Sequence, residues 1–173
     1  MQMPEKLQDA FNEQVTLEFE ANMVYRQLAI DMDDRDLTGF AKWFRAQADE
    51  EIVHANKFID HMLDRDVRPT LQTIELTPAA KGKSPLEAFK AALAHEQKVS
   101  EAIRGLYRLS HDEQDFDSFP LLNWFIDEQL EEEASVDEII SQLKLVENDG
   151  SGLLRLDADL GARTSAGTEN PEG

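Results

Sequence analysis

The chain of 173 residues carries 17 Lys and Arg against 36 Asp and Glu, a formal charge of −19, while 41% of its residues are hydrophobic. This composition indicates one acidic globular domain: it excludes a disordered acidic tail, disfavours nucleic-acid binding and favours cations or basic partners. The absence of Cys excludes disulfides, thiolate metal sites and cysteine nucleophiles, so any metal would need His and carboxylate ligands.

Proline and glycine divide the chain into long segments free of helix breakers. The first predicted helix spans about residues 5–32, with Pro4 near its first turn, and the second spans about 37–63 after a short acidic turn. A link over 64–83 follows, and it contains two prolines and one glycine. The first half of the chain therefore predicts two helices and a long connection.

The second half repeats this pattern of two long helices. A Ser-Pro start predicts a capped third helix over about 84–110, and a fourth helix is predicted over about 117–147. A Gly-rich run over 148–152 stops the fourth helix. Residues 153–160 could form a short fifth helix, too short to be stable alone, and we expect a mobile tail over 162–173.

Link lengths determine the predicted topology. The short links make the first and second helices, and the third and fourth, antiparallel neighbours, whereas the long link can cross the height of a bundle. Helices of this length are about 40 Å long, and the link over 64–83 can extend about 66 Å. We therefore expect an all-α four-helix bundle over 1–161, up-down-down-up with one long crossover and a short C-terminal fifth helix.

Polar side chains interrupt the apolar stripe of each predicted helix. Stripes with 3–4 spacing face a bundle core, and an unpaired buried carboxylate costs several kcal/mol. Counting the rise along each helix places the interrupting residues at similar heights, about 15–26 Å above one end of the bundle. These residues are Glu18, Glu51, His54, Glu96, Gln129 and Glu132.

Convergence of these side chains predicts a metal site. Four like charges cannot share a dry site without cations, and oxygen ligands with one imidazole suit iron or manganese. Glu51 is the best-placed bridge between two ions, because His54, three residues on, supplies nitrogen to one of them. A single buried Glu or His would more often be an ordinary core residue, and it is the joint convergence that favours metal.

Other polar residues allow simpler interpretations. Gln14 and His61 fall nearer a bundle end, where solvent would explain them, and His95 lies off its stripe and is expected to be exposed. Tyr25 follows Glu18 by seven residues on the same stripe. It could bond a ligand or donate an electron, and it would equally suit a purely structural core position.

These motifs resemble those of the non-haem bacterial ferritins, and the resemblance covers about residues 5–160. The motifs are Glu18 with Tyr25, and the segments 49–54, 94–97 and 127–133. Ferritin-like di-iron proteins have a Glu-x-x-His motif on each of two helices. This chain has one at 51–54, but the second motif reads Gln-x-x-Glu at 129–132. Loss of the second His would leave one ion held by oxygen alone, so that it could move on.

The resemblance implies a ligand set for iron. Glu18, Glu51 and His54 would hold the first ion. Glu51, Glu96 and Glu132 would hold the second, with a hydrogen bond from Gln129. A third ion would bind beside the pair, at positions that could equally form a solvated acidic face: Glu50, Glu128, Glu131 and Glu132. Haem is not expected, because Ile52 stands where haem-binding bacterioferritins carry a Met ligand.

The resemblance also implies an activity and an assembly. Members are ferroxidases that oxidise Fe(II) to Fe(III) with O2 or H2O2 and deposit ferric oxide inside a hollow homo-oligomeric shell of about twenty-four subunits. The short fifth helix would pack with symmetry mates at a shell axis. We expect no nucleic-acid or membrane partner, and we expect a cytoplasmic protein, because no apolar leader or membrane-length run occurs.

Three alternatives stay open at this point. An inactive shell subunit that only nucleates mineral would have lost stripe ligands, and none is lost here. A di-iron oxidase acting on an organic molecule would have a second His ligand and a substrate tunnel. A DNA-protecting mini-ferritin would have ligands between subunits, a twelve-subunit assembly and no fifth helix.

Overall fold

Five α-helices account for most of the computed structural model, which describes residues 3–76 and 83–162. The helices are α1 Glu5–Asp33, α2 Thr38–Asp64, α3 Pro85–Asp112, α4 Phe119–Leu145 and α5 Gly150–Ala162. A 3-10 turn, Phe116–Ser118, precedes α4. The described residues contain no strand, and the predicted all-α bundle with a short fifth helix is confirmed.

Helix ends agree with the prediction to within a few residues. The predicted cap of α3 is present as a capping box, in which Ser84 Oγ accepts from the Glu87 backbone N–H and Glu87 Oε2 accepts from the Ser84 backbone N–H. The predicted start of α5 was wrong, because the helix begins at Gly150, three residues before the predicted position. Asp149 Oδ1 accepts from the Ser151 N–H and caps this start. All but the first residue of the predicted tail lies outside the described residues.

The long helices pack in antiparallel pairs, α1 against α2 and α3 against α4, and α1 also packs on α3. Residues 65–76 and 83–84 form the described part of the crossover and contain no regular element. Within the described ranges, no helix combines the length and the apolar character needed to cross a membrane.

Two apolar clusters fill the bundle, one toward each end. The first joins late α1 to early α2 and early α3, with Phe44 and Phe89 rings 4.5 Å apart. The second joins early α1 to late α2 and early α4, with Phe58 and Phe125 stacked at 4.2 Å. No residue belongs to both clusters. The polar stripe residues occupy the layer between them.

Helix α5 docks on the N-terminus of α2 through a close glycine contact. A Cβ on Gly39 would lie 1.8 Å from the carbonyl oxygen of Asp157, so only glycine allows this approach. No side chain within α2 caps its N-terminus; instead Asp157 Oδ1 accepts from the Phe40 N–H at 2.8 Å. A carboxylate there also meets the positive end of the helix dipole. The short helix thus gains from packing the stability that it lacks alone.

Replacing Asp157 by alanine should weaken this docking. The change removes a carboxylate that caps α2, and caps of this kind contribute about 1 kcal/mol. Hydrogen exchange of the α5 amides in the assembled protein should become about fivefold faster, since 1.4 kcal/mol corresponds to a factor of ten. Asp159→Ala, at an exposed position of the same helix, is the matched control. Equal acceleration in both variants would contradict the capping role.

Candidate metal centre

Four helices bring polar side chains together in the layer between the two apolar clusters. Helix α1 contributes Glu18, α2 contributes Glu51 and His54, and α3 contributes Glu96. Helix α4 contributes the remaining pair. None of the six is more than 6% exposed, and the pair from α4 is Gln129 and Glu132.

Two sets of side chains have ligand atoms close enough together to hold one metal ion, and we call each a metal-sized group. The first joins α1 to α2. Ligand atoms of Glu18, Glu51 and His54 all lie within 4.8 Å of one another. His54 Nδ1 is 3.3 Å from Glu51 Oε2. Gln14 Nε2 donates to Glu18 Oε1 at 2.7 Å, while Glu18 Oε2 is buried and has no hydrogen-bond partner among the residues that the structure describes. A buried carboxylate oxygen without a donor is costly, and a cation at this position would satisfy it.

A second metal-sized group joins α2 to α4. Ligand atoms of Glu50, His54, Glu128 and Glu132 lie within 4.8 Å of one another. His54 Nε2 is 4.0 Å from Glu128 Oε1, so the two nitrogens of one imidazole face different groups. Glu50 and Glu128 are half-buried, which places this group nearer solvent than the first. Gln47 Nε2 donates to Glu132 Oε2 at 2.9 Å.

Glu96 belongs to neither group and is instead held by donors on both oxygens. The Tyr25 hydroxyl donates to Oε1, and Gln129 Nε2 donates to Oε2 at 3.1 Å. Tyr25 is fully buried, and its ring contacts that of Trp43 edge-on with centroids 6.4 Å apart. These two donors hold the Glu96 carboxylate between α1 and α4.

Not every predicted ligand joins a group. Glu131 is exposed and lies in neither metal-sized group formed by residues 3–76 and 83–162. The resemblance placed Glu132 with Glu51 and Glu96 at the second ion, and also with Glu50, Glu128 and Glu131 at the third. In the structure Glu132 lies in the group of Glu50 and Glu128.

Burial and mutual repulsion shift the acid–base equilibria of the layer. Burial raises the pKa of Glu18 well above its usual value, and the charge of Glu51 adds to this. Burial likewise raises the pKa of Glu51 and of Glu132, and Glu96 contributes to both. The pKa of Glu96 itself is raised by burial. Without a cation these carboxyl groups therefore keep their protons to higher pH than free carboxyl groups do, and binding of a divalent ion would favour their loss.

Several polar residues proved to be more buried than expected from the sequence. Gln14 is 2% exposed, and its side chain donates a hydrogen bond to Glu18 instead of facing solvent. His61 is half-buried, and its Nε2 is hydrogen-bonded to Ser118 Oγ at 3.0 Å. His95 is 9% exposed, not free in solvent, and burial lowers its pKa. The 3–4 spacing of Ala92, His95 and Val99 is the signal that could have predicted its burial.

The fold and the sequence have close relatives. Residues 8–146 match the family described as ferritin-like domain. Bacterial non-heme ferritins of Staphylococcus saprophyticus and Staphylococcus epidermidis are 36% and 34% identical, covering 92% and 94% of this chain and 95% and 97% of their own. A solved structure described as an open pore ferritin of the archaeon Archaeoglobus fulgidus aligns with a TM-score of 0.91 at 35% identity, over 95% of this chain and 100% of that one.

Proposed function

The chain belongs to the ferritin-like family, and from this premise we propose that it stores iron and is itself a ferroxidase. The substrate is Fe(II), which is oxidised by O2 or H2O2 at a site within one subunit, and the ferric product is deposited as hydrated oxide inside a hollow homo-oligomer of about twenty-four subunits. The observation that carries the proposal is the pair of carboxylate groups, one buried and one half-buried, that share His54.

The first group supplies the tighter position for Fe(II). Glu18 and Glu51 provide carboxylate oxygens, and His54 provides a nitrogen, a donor set that suits iron. Gln14 orients Glu18 through its 2.7 Å hydrogen bond, and Glu18 Oε2 is left available to the ion.

The second position for Fe(II) would lie among Glu51, Glu96 and Glu132, with Glu51 as the bridge. The charge of Glu96 raises the pKa of both Glu51 and Glu132. A cation among the three carboxylates would relieve this repulsion, which burial makes costly. Two Fe(II) side by side give two electrons to one O2, which takes up two protons to form H2O2. They can equally give two electrons to one H2O2, which takes up two protons to form two waters. Paired delivery avoids one-electron products of oxygen.

The half-buried second group provides a route outward for the product. Glu50, Glu128 and Glu132 form an oxygen-rich site on the more exposed side of His54 and would hold a third ion. Glu131, exposed on the same helix, stays a predicted outer ligand of this site. Because this group lies nearer solvent than the first, water can reach Fe(III) held there, and the ion can hydrolyse and leave.

Tyr25 has a supporting role in this proposal. Its hydroxyl donates to Glu96, and burial together with the charge of Glu96 raises the pKa of the phenol well above its usual value. The phenol therefore stays protonated, and it can lose one electron when its proton passes to Glu96. It would supply an electron to the oxidant when only one Fe(II) is present.

An aerobic Fe(II) titration of the assembled protein tests the proposal. We expect oxidation far faster than in buffer for the first two Fe(II) per subunit, with consumption of one O2 per two Fe(II). Further iron should elute with the protein in a particle whose size by light scattering fits about twenty-four subunits. A rate equal to that in buffer would refute ferroxidase activity. A particle of about half that mass would favour the mini-ferritin alternative instead.

A further inference from the structure

A chain of hydrogen bonds runs from the edge of the bundle to the buried layer. At its outer end Ser100 Oγ donates to Oε1 of the half-buried Glu133 at 2.5 Å. Gln129 Nε2 donates to Ser100 Oγ at 3.3 Å and to Glu96 Oε2 at 3.1 Å. The Tyr25 hydroxyl closes the inner end on Glu96 Oε1. Neither Ser100 nor Glu133 is in the predicted ligand set.

The donor direction at each link determines how the amide of Gln129 is oriented. A serine hydroxyl has one proton, and here Glu133 accepts it, so Ser100 Oγ presents only lone pairs to Gln129. An amide oxygen turned toward Ser100 would meet an acceptor with no proton between them. The amide nitrogen must therefore face Ser100, and it donates to Glu96.

We propose that Ser100 and Glu133 are positioning residues that act through Gln129 on Glu96, and so set how tightly the second Fe(II) is held. The inference rests on the proposed function, in which Glu96 is a ligand of that ion. Residues that orient a metal ligand typically change metal affinity by about 10- to 100-fold when they are lost. Here the effect should fall on the second position, because the first lies on α1 and α2.

The charge of Glu133 keeps the Ser100 hydroxyl proton directed toward Glu133, because a second acceptor competes for that proton. The residue four positions before Ser100 is Glu96, and helical serines readily turn onto the carbonyl of that residue. Gln129 Nε2 already reaches the same carbonyl at 3.3 Å. Without Glu133 the hydroxyl would take that carbonyl and displace Gln129, which would then hold Glu96 less firmly.

Co(II) titration of the assembled protein, followed by visible absorption, measures the two positions without turnover. We expect two tight equivalents per subunit in the unaltered protein. Ser100→Ala and Glu133→Leu should each weaken one equivalent by roughly tenfold and leave the other unchanged. Glu133→Gln keeps an acceptor oxygen and should restore much of the loss. The double variant should lose no more than either single one, because the two residues act in one chain.

Two controls separate positioning from general packing. Ser110→Ala removes a buried serine hydroxyl of the same helix that has no hydrogen-bond partner in the described ranges, and Glu138→Leu removes an exposed carboxylate from α4. Both should leave the two Co(II) affinities unchanged.

Equal weakening of both positions, no weakening, or additive losses in the double variant would overturn the positioning role. Failure of the proposed function looks different: the unaltered protein would bind two Co(II) and show the selective loss, yet would not accelerate Fe(II) oxidation.

Discussion

Replacing Glu51 or His54 by alanine should abolish fast Fe(II) oxidation, with a loss of at least about 100-fold in the initial rate. Glu51 is the proposed bridge between two ions, and His54 is common to both metal-sized groups. Without either side chain, two Fe(II) would no longer be held side by side, and the reaction needs one electron from each of them. The measurement is stopped-flow absorption of the ferric product, with O2 consumption recorded in parallel.

The same variants must keep their assembly for this loss to be informative. Both side chains are 2% exposed, and an alanine removes a buried charge or polar ring, so particle size and helix content should be retained. Exposed residues of the same types supply the controls, His111→Ala and Glu138→Ala, and both should oxidise iron at the unaltered rate. Unchanged rates in the Glu51 and His54 variants would refute the assigned site.

Glu18→Gln should raise the free energy of unfolding of the metal-free protein and lower that of the metal-loaded protein. Burial raises the pKa of Glu18, so its folded-state pKa lies above its unfolded-state value. The contribution of protonated Glu18 to the free energy of unfolding is therefore fully present below its pKa in the unfolded state. It is lost as the pH rises through its pKa in the folded state. Glutamine has no proton to lose. At neutral pH we expect a gain of about 2 kcal/mol in the free energy of unfolding without metal.

Denaturant unfolding of metal-free and Co(II)-loaded particles between mildly acidic and neutral pH measures both effects. The advantage of the variant should grow as pH rises, and its affinity at the first position should fall by at least about tenfold. Glu13→Gln, an exposed change on the same helix, should do neither. A variant that is less stable than the unaltered protein at every pH would show that Glu18 stabilises the fold even without a cation.

Much of the bundle follows from local rules in the sequence. Helix breakers and the Ser84 cap placed the long helices, and stripe counting placed Glu18, Glu51 and Glu96 in one layer, because helical rise is nearly constant. The docking of α5 could not be predicted this way. It depends on the approach of Gly39 to Gly161, two glycines more than a hundred residues apart that no periodicity connects.

The absence of Glu96 from both metal-sized groups could not be predicted from the spacing of residues along the helices. Spacing determines the face on which a side chain lies but not its rotamer, and rotamers decide that Glu132 turns toward Glu128 while Glu96 stays with Tyr25. Ser100 and Glu133 escaped prediction for a related reason. Neither is unusual for its helix, and their role exists only because Gln129 comes between them and Glu96.

The two apolar clusters lie toward the two ends of the bundle, on either side of the carboxylate layer. In the proposed cycle of iron binding and release, the change in charge repulsion falls on this layer and not on the close-packed ends. Under the proposed function, the helix ends and α5 would then be little affected by each cycle of filling and emptying. In the proposed shell, one subunit could process many ions without passing strain to its neighbours, and the container would keep its shape while its contents change.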